Sequence, residues 1–124
     1  MTLTFGDASQ LMGGSARVCR NERCVDGPLP SVPVPTGGYG HGVTLQNNEL
    51  KAQVTIWAST PFELIAETEE DSHLFVDGDI YTFVVNRSDG ATLVQGRWTA
   101  TYIERWGDSA CGMLCKHAEL QPAP

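Results

Sequence analysis

Two close pairs of cysteines, Cys19/Cys24 and Cys111/Cys115, are the residues best placed by type and spacing to do chemistry. An even, clustered count suits disulfides in an oxidising compartment. Cys19 and Cys24 are flanked by Val18 and Val25 and separated by a polar centre, Arg20-Asn21-Glu22-Arg23. That pattern predicts a tight hairpin with the two sulfurs facing each other across a non-hydrogen-bonded pair. The four thiolates could instead hold zinc, but Cys-x4-Cys and Cys-x3-Cys are looser than the Cys-x2-Cys of zinc knuckles, and the pairs lie near opposite ends of the chain. The expected bridges are Cys19–Cys24 and Cys111–Cys115. Pairing across the two clusters is the alternative, and it would staple the chain ends together.

Carboxylates are the second cluster. Glu67, Glu69, Glu70, Asp71, Asp77 and Asp79 place six acids within thirteen residues. Oxygen ligands suit calcium, with Glu69, Asp71 and Asp79 the weak candidates, but the Asp-x-Asp-x-Asp-Gly ladder is missing. A solvated, self-repelling loop is therefore the reading, and no metal is expected. His41, His73 and His117 are the side chains able to act as general bases near neutral pH. Asp108-Ser109-Ala110 is not a nucleophile elbow. Cys115 and His117 would share a strand face without needing to react, and a bridged Cys115 is no nucleophile. No catalytic centre and no cofactor are expected.

Flat rings that stack on sugars or partner surfaces are the third class. Trp57, on the polar parity of its strand, Trp106, in a turn, and Tyr39, in a Pro-rich stretch, are the candidate binding residues. Trp98 belongs to an apolar face and reads as core.

The elements that would position these groups are strands. In 124 residues with 41% hydrophobic content there is room for one domain with a real core, 1–124. Leu50, Ala52, Val54 and Ile56 alternate with polar residues, and Val94, Trp98, Ala100 and Tyr102 share one face of a long strand through 92–104. Both faces of the Ile80–Val85 run are apolar, so that strand is central. The Pro- and Gly-rich segment 27–42 reads as a surface loop or strap, and 121–124 as a frayed tail. Some seven to nine short strands separated by turns give an all-β antiparallel sandwich. A net charge of −7 with eight basic residues excludes nucleic acid, and no apolar run is long enough for a membrane span.

The run Asp77-Gly78-Asp79-Ile80-Tyr81-Thr82-Phe83 resembles the tyrosine corner of immunoglobulin-like and fibronectin-type domains. The resemblance implies that the Tyr81 hydroxyl turns back onto upstream backbone, with Asp77 the accompanying acid. The early Val-Cys-Arg-Asn…Cys and late Cys-Gly-x-x-Cys pairs are similar to those of small secreted or lipoprotein sandwich domains of bacteria. That likeness implies a compartment and a fold and no activity. The opening Met1-Thr2-Leu3-Thr4-Phe5 has neither a positive nor an apolar region of a leader. The expectation is thus a mature secreted, periplasmic or cell-surface chain whose signal or lipid anchor lies outside this sequence. Its expected role is a non-catalytic structural or interaction module with a protein or cell-surface partner, able to self-associate through an open edge. The alternative is a carbohydrate- or calcium-dependent binding domain.

Overall fold

Period-two alternation decides most of this architecture. The computed structural model describes residues 1–6, 8–29, 40–57, 62–69, 75–106 and 114–123, with backbone alone at 8, 40, 41, 62, 104–106 and 114–117. Among the described residues the chain runs β1 (Thr2–Phe5), a 3₁₀ turn (Ala8–Leu11), β2 (Ser15–Arg20), β3 (Arg23–Pro28), β4 (Gly40–Gln46), β5 (Lys51–Trp57), β6 (Phe62–Thr68), β7 (Ile80–Asn86), β8 (Thr92–Trp106) and β9 (Leu114–Pro122). These make a four-stranded sheet, β1-β6-β5-β4, and a five-stranded sheet, β3-β2-β7-β8-β9. Every pairing is antiparallel. The result is an all-β two-sheet sandwich, an architecture compatible with immunoglobulin-like domains.

One face of the strands from β1 to β8 closes the core. Leu3, Phe5, Leu45, Ala52, Val54, Ile56, Leu64 and Ala66 come from the first sheet, and Ala16, Val18, Val25, Phe83 and Val85 from the second. Cross-strand register keeps these faces aligned: Val54 lies between Val43 and Ala66, and Phe83 between Val18 and Gly96. Because side chains alternate faces, a one-residue slip would turn either sheet inside out. Trp98 lies on the inner face against the core, as its parity indicates. A Cβ at Gly96 would collide with the Trp98 ring, so only a residue without a side chain lets the indole lie down there. Between its two neighbours, β2 and β8, β7 is central, which explains its apolar outer residues.

The tail is more ordered than its composition indicates. Gln121 and Pro122 extend β9 opposite Thr99 and Trp98, and Ala123 donates to the Arg97 carbonyl at 2.9 Å. Pro122 is tolerated because β9 is an edge strand, where a missing N–H can point outward. The Pro/Gly-rich segment 27–42 is likewise not all loop. Its ends belong to β3 and β4, and Leu29 is buried with its N–H on the Gly14 carbonyl at 2.9 Å. Residues 30–39 lie outside the described residues.

β8 has a divided partnership. Its residues up to Thr99 pair with β7, while Trp98–Trp106 pair with β9. The two sets overlap only at Trp98 and Thr99, so the second half of β8 runs past the start of β7. That overrun carries Tyr102 to one end of the sandwich, where the polar residues described next collect.

Candidate functional site

Arg20 starts the site. It continues the inner parity of Ala16 and Val18, which should be apolar, and it is buried at 5% exposure. A guanidinium on an inner face demands an anionic partner, because unpaired burial of a charge is very costly. Asp79, at 6% exposure, supplies it: Arg20 donates from Nε at 3.0 Å and from Nη2 at 2.9 Å to Asp79 Oδ2.

Two turns bring these groups together. The β2–β3 hairpin has Arg20 and Arg23 as its closing pair, with Asn21 and Glu22 at the tip. Asn21 sits at φ 53°, a region that Asn tolerates better than most residues. Its side chain fills the junction with β7: Nδ2 donates to Asp79 Oδ1 at 2.9 Å and Oδ1 accepts the Ile80 N–H at 2.9 Å. The second turn precedes β7. Asp79 N–H donates to the Val76 carbonyl, Gly78 occupies φ 95°, and the corner docks on β8 through Gly78 N–H to Ala100 O and Ala100 N–H to Asp79 O.

Asp79 therefore accepts from five donors. Besides Arg20 (twice) and Asn21, the Tyr102 hydroxyl donates at 2.8 Å and the Val76 N–H at 3.2 Å, both to Oδ2. Burial alone would raise the Asp79 pKa. The hydrogen bonds from Asn21, Tyr102, Val76 and Arg20 outweigh it and hold the carboxyl below its ordinary value. Burial, and then the bonds to Tyr81 and Asp79, push Tyr102 above the ordinary tyrosine value. Phe75 stacks on Tyr102 at a centroid distance of 4.6 Å, and Arg20 lies 5.3 Å from the Phe75 centroid.

The direction of the tyrosine bonds follows from charge. An ionised Asp79 only accepts, so the Tyr102 proton is committed to it. The Tyr81 hydroxyl, 2.7 Å from the Tyr102 hydroxyl, must then donate to Tyr102. The tyrosine-corner resemblance implied a bond from Tyr81 to upstream backbone; the bond found joins two side chains. Asp77 does tie a strand, by accepting the Tyr102 N–H at 2.8 Å. Asp79, expected as a solvated or weakly calcium-binding acid, is instead the hub.

Two openings flank this network. One, a cavity of about 480 Å³, is lined by Arg20, Asn21, Glu22, Arg23, Val76 and Asp79. The other, about 380 Å³, lies between the sheets, with Met1, Ala66 and Thr68 on one side and Tyr81, Tyr102 and Leu120 on the other. The Met1 ammonium donates to the Ala66 carbonyl at 3.2 Å; burial lowers its pKa, and nearby Glu67 opposes that.

The remaining candidates disperse. Cys19 and Cys24 are bridged, directly opposite in register with Cα atoms 4.1 Å apart. The two-residue hairpin tip makes theirs the non-hydrogen-bonded pair next to the closing one. Cys111 lies outside the described residues, as does the Cys115 side chain; the Cys115 backbone sits in β9 opposite Arg105. Trp57 is exposed at the end of β5, opposite Gly40 and Glu63, on the outer face. Tyr39, Asp71 and the Trp106 side chain lie outside the described residues. Glu69 pairs with Lys51 at 3.1 Å, so it and Asp79 do not converge on one cation. Among the described residues no three His, Cys, Asp or Glu side chains gather as a metal would need.

Sequence reasoning missed Arg20, Asn21 and Phe75. The signal was present for Arg20: a charge in register with Ala16 and Val18. Comparison with protein families, curated proteins and solved structures finds no match to this chain.

Proposed function

We propose that this chain is a non-catalytic structural or interaction module, a disulfide-clipped sandwich of the immunoglobulin-like kind, working in a secreted or envelope-associated setting. One observation carries the reading: the densest polar constellation described spends its carboxylate on five internal donors. A catalytic acid or base needs a proton it can exchange with substrate and a pKa near the working pH. Asp79 is held below its ordinary carboxylate value by its neighbours and joins three strands instead. The Cys19–Cys24 bridge supports a compartment outside the reducing cytosol. Partners, protein or cell-surface, would be met through loops and through β1, β3, β4 and β9, the edge strands among the described residues, and those edges also permit self-association.

A carbohydrate-binding role is the second reading, favoured by the exposed indole of Trp57 on an outer face. The test is fractionation of cells making the natural chain, with thiols alkylated before lysis. The module reading expects the chain in the exported or surface fraction with Cys19 and Cys24 unalkylated. A cytosolic chain with both thiols alkylated would overturn it. Saturable binding to a glycan array that is lost in Trp57→Ala, with the melting midpoint unchanged, would favour the second reading.

A further inference from the structure

The cleft between the sheets ends on a buried polar atom whose bonding capacity is only half used. Tyr81 is 4% exposed and its proton is committed to Tyr102, whose own proton is committed to Asp79. Tyr102 oxygen is thereby filled as both donor and acceptor. Tyr81 oxygen keeps acceptor capacity and has no proton left to give. Both tyrosines line the cleft, so a guest meets a floor that accepts hydrogen bonds and cannot donate them. Phe75, Ala66, Ala118 and Leu120 give the walls an apolar part, beside Met1, Glu67 and Thr68 at the four-stranded sheet.

Charge narrows the guest further. Anions are opposed by Glu67, by the Asp79 carboxylate behind Tyr102 and by a net charge of −7. Cations are opposed by the Arg20 guanidinium over Phe75. Stripping an ammonium of water to meet one neutral oxygen is also costly. A neutral molecule with an apolar body and one O–H donor fills the open acceptor of Tyr81 and brings no charge against Glu67 or Arg20. The volume of about 380 Å³ falls in the range of small-molecule sites.

We propose that this cleft binds a small neutral phenol or alcohol, its apolar body between the sheets and its hydroxyl donating to Tyr81 Oη. This assignment stands independently of the compartment and module readings.

The test is a ¹H–¹⁵N NMR titration of the whole chain with phenol, anisole, benzoate and benzylammonium. Anisole has the same ring without the donor. Shifts are expected at the Ala66, Tyr81, Tyr102 and Ala118 amides, with phenol binding about five- to tenfold tighter than anisole. Tyr81→Phe together with Tyr102→Phe, which removes both hydroxyls that line the cleft, should bring that ratio close to one while anisole still binds. Ala118→Trp, placed at an exposed position on the rim, should abolish both. Shifts mapping elsewhere, a phenol preference that survives the double substitution, or benzoate or benzylammonium binding as tightly as phenol would each overturn the assignment. Should the double variant lose the dispersed spectrum of a folded chain, Ala118→Trp and the four-ligand ranking still decide it.

Discussion

Strand β7 is bracketed by two short acidic turns, and each holds an Asp–Arg pair at hydrogen-bond distance. At its start Asp79 meets Arg20 at 2.9 Å; at its end Asp89 meets Arg87 at 2.7 Å. Both turns use a glycine with positive φ, Gly78 at 95° and Gly90 at 88°, where a side chain would be strained. By length alone the second bond is the better one. Environment reverses the order: the first pair has both side chains 6% exposed, the second 48% and 56%. Span differs as well. Asp79 gathers partners from the β2–β3 tip and from β8, far away in sequence, whereas Asp89 bonds Arg87 and the Ala91 N–H, each two residues off. Asp89 closes a turn, and Asp79 closes one end of the sandwich. Where a carboxylate sits and how far its partners lie along the chain decide its weight.

The largest expected effect tests that contrast directly. Asp79→Asn removes the charge on which the Arg20, Asn21, Tyr102 and Val76 donors converge and should cost about 3 kcal/mol in urea unfolding. Breaking the Cys19–Cys24 bridge comes next. The loop is short, so Cys19→Ser with Cys24→Ser should cost about 2 kcal/mol by loop entropy, read from the same unfolding curves. Tyr81→Phe removes one neutral hydrogen bond while Tyr102 still donates to Asp79, an expected loss of about 0.5–1.5 kcal/mol. Asp89→Asn is the smallest: its pair is solvent-exposed and screened, so the melting midpoint should stay where it was. If Asp89→Asn proved as damaging as Asp79→Asn, the contrast between the two turns would collapse.

The sandwich itself was readable because burial imprints a period of two on each strand. The alternation of Leu50–Trp57 became β5, and the doubly apolar Ile80–Val85 run became the central β7. The cysteine pair at the hairpin was readable for the same reason, since register follows from a short turn. The hub was not. An acid in a run of acids looks solvated until the fold shows which one points inward, and Asp77 and Asp79, on either side of Gly78, divide those roles. The partner that singles out Asp79 stands 59 residues earlier, in another hairpin. What the sequence did offer was Arg20 on an apolar parity, a residue that makes physical sense only with a buried anion opposite. Of the tail read as frayed at 121–124, Gln121 and Pro122 pair in β9: Gln-Pro-Ala-Pro looks irregular in sequence, while Pro122 fits the outer edge of a sheet; Pro124 lies outside the described residues.

The most direct test of the account is the pKa of the Asp79 side chain in the folded protein, followed by ¹³C NMR through an acid titration. Five donors to the charged form should hold it below the usual carboxylate range. The stability it contributes would then be complete above the unfolded-state value and fade as pH falls through the folded one. A carboxyl that titrates at or above the ordinary aspartate value would contradict the account, because the charge at the end of the sandwich would then not be held by its neighbours.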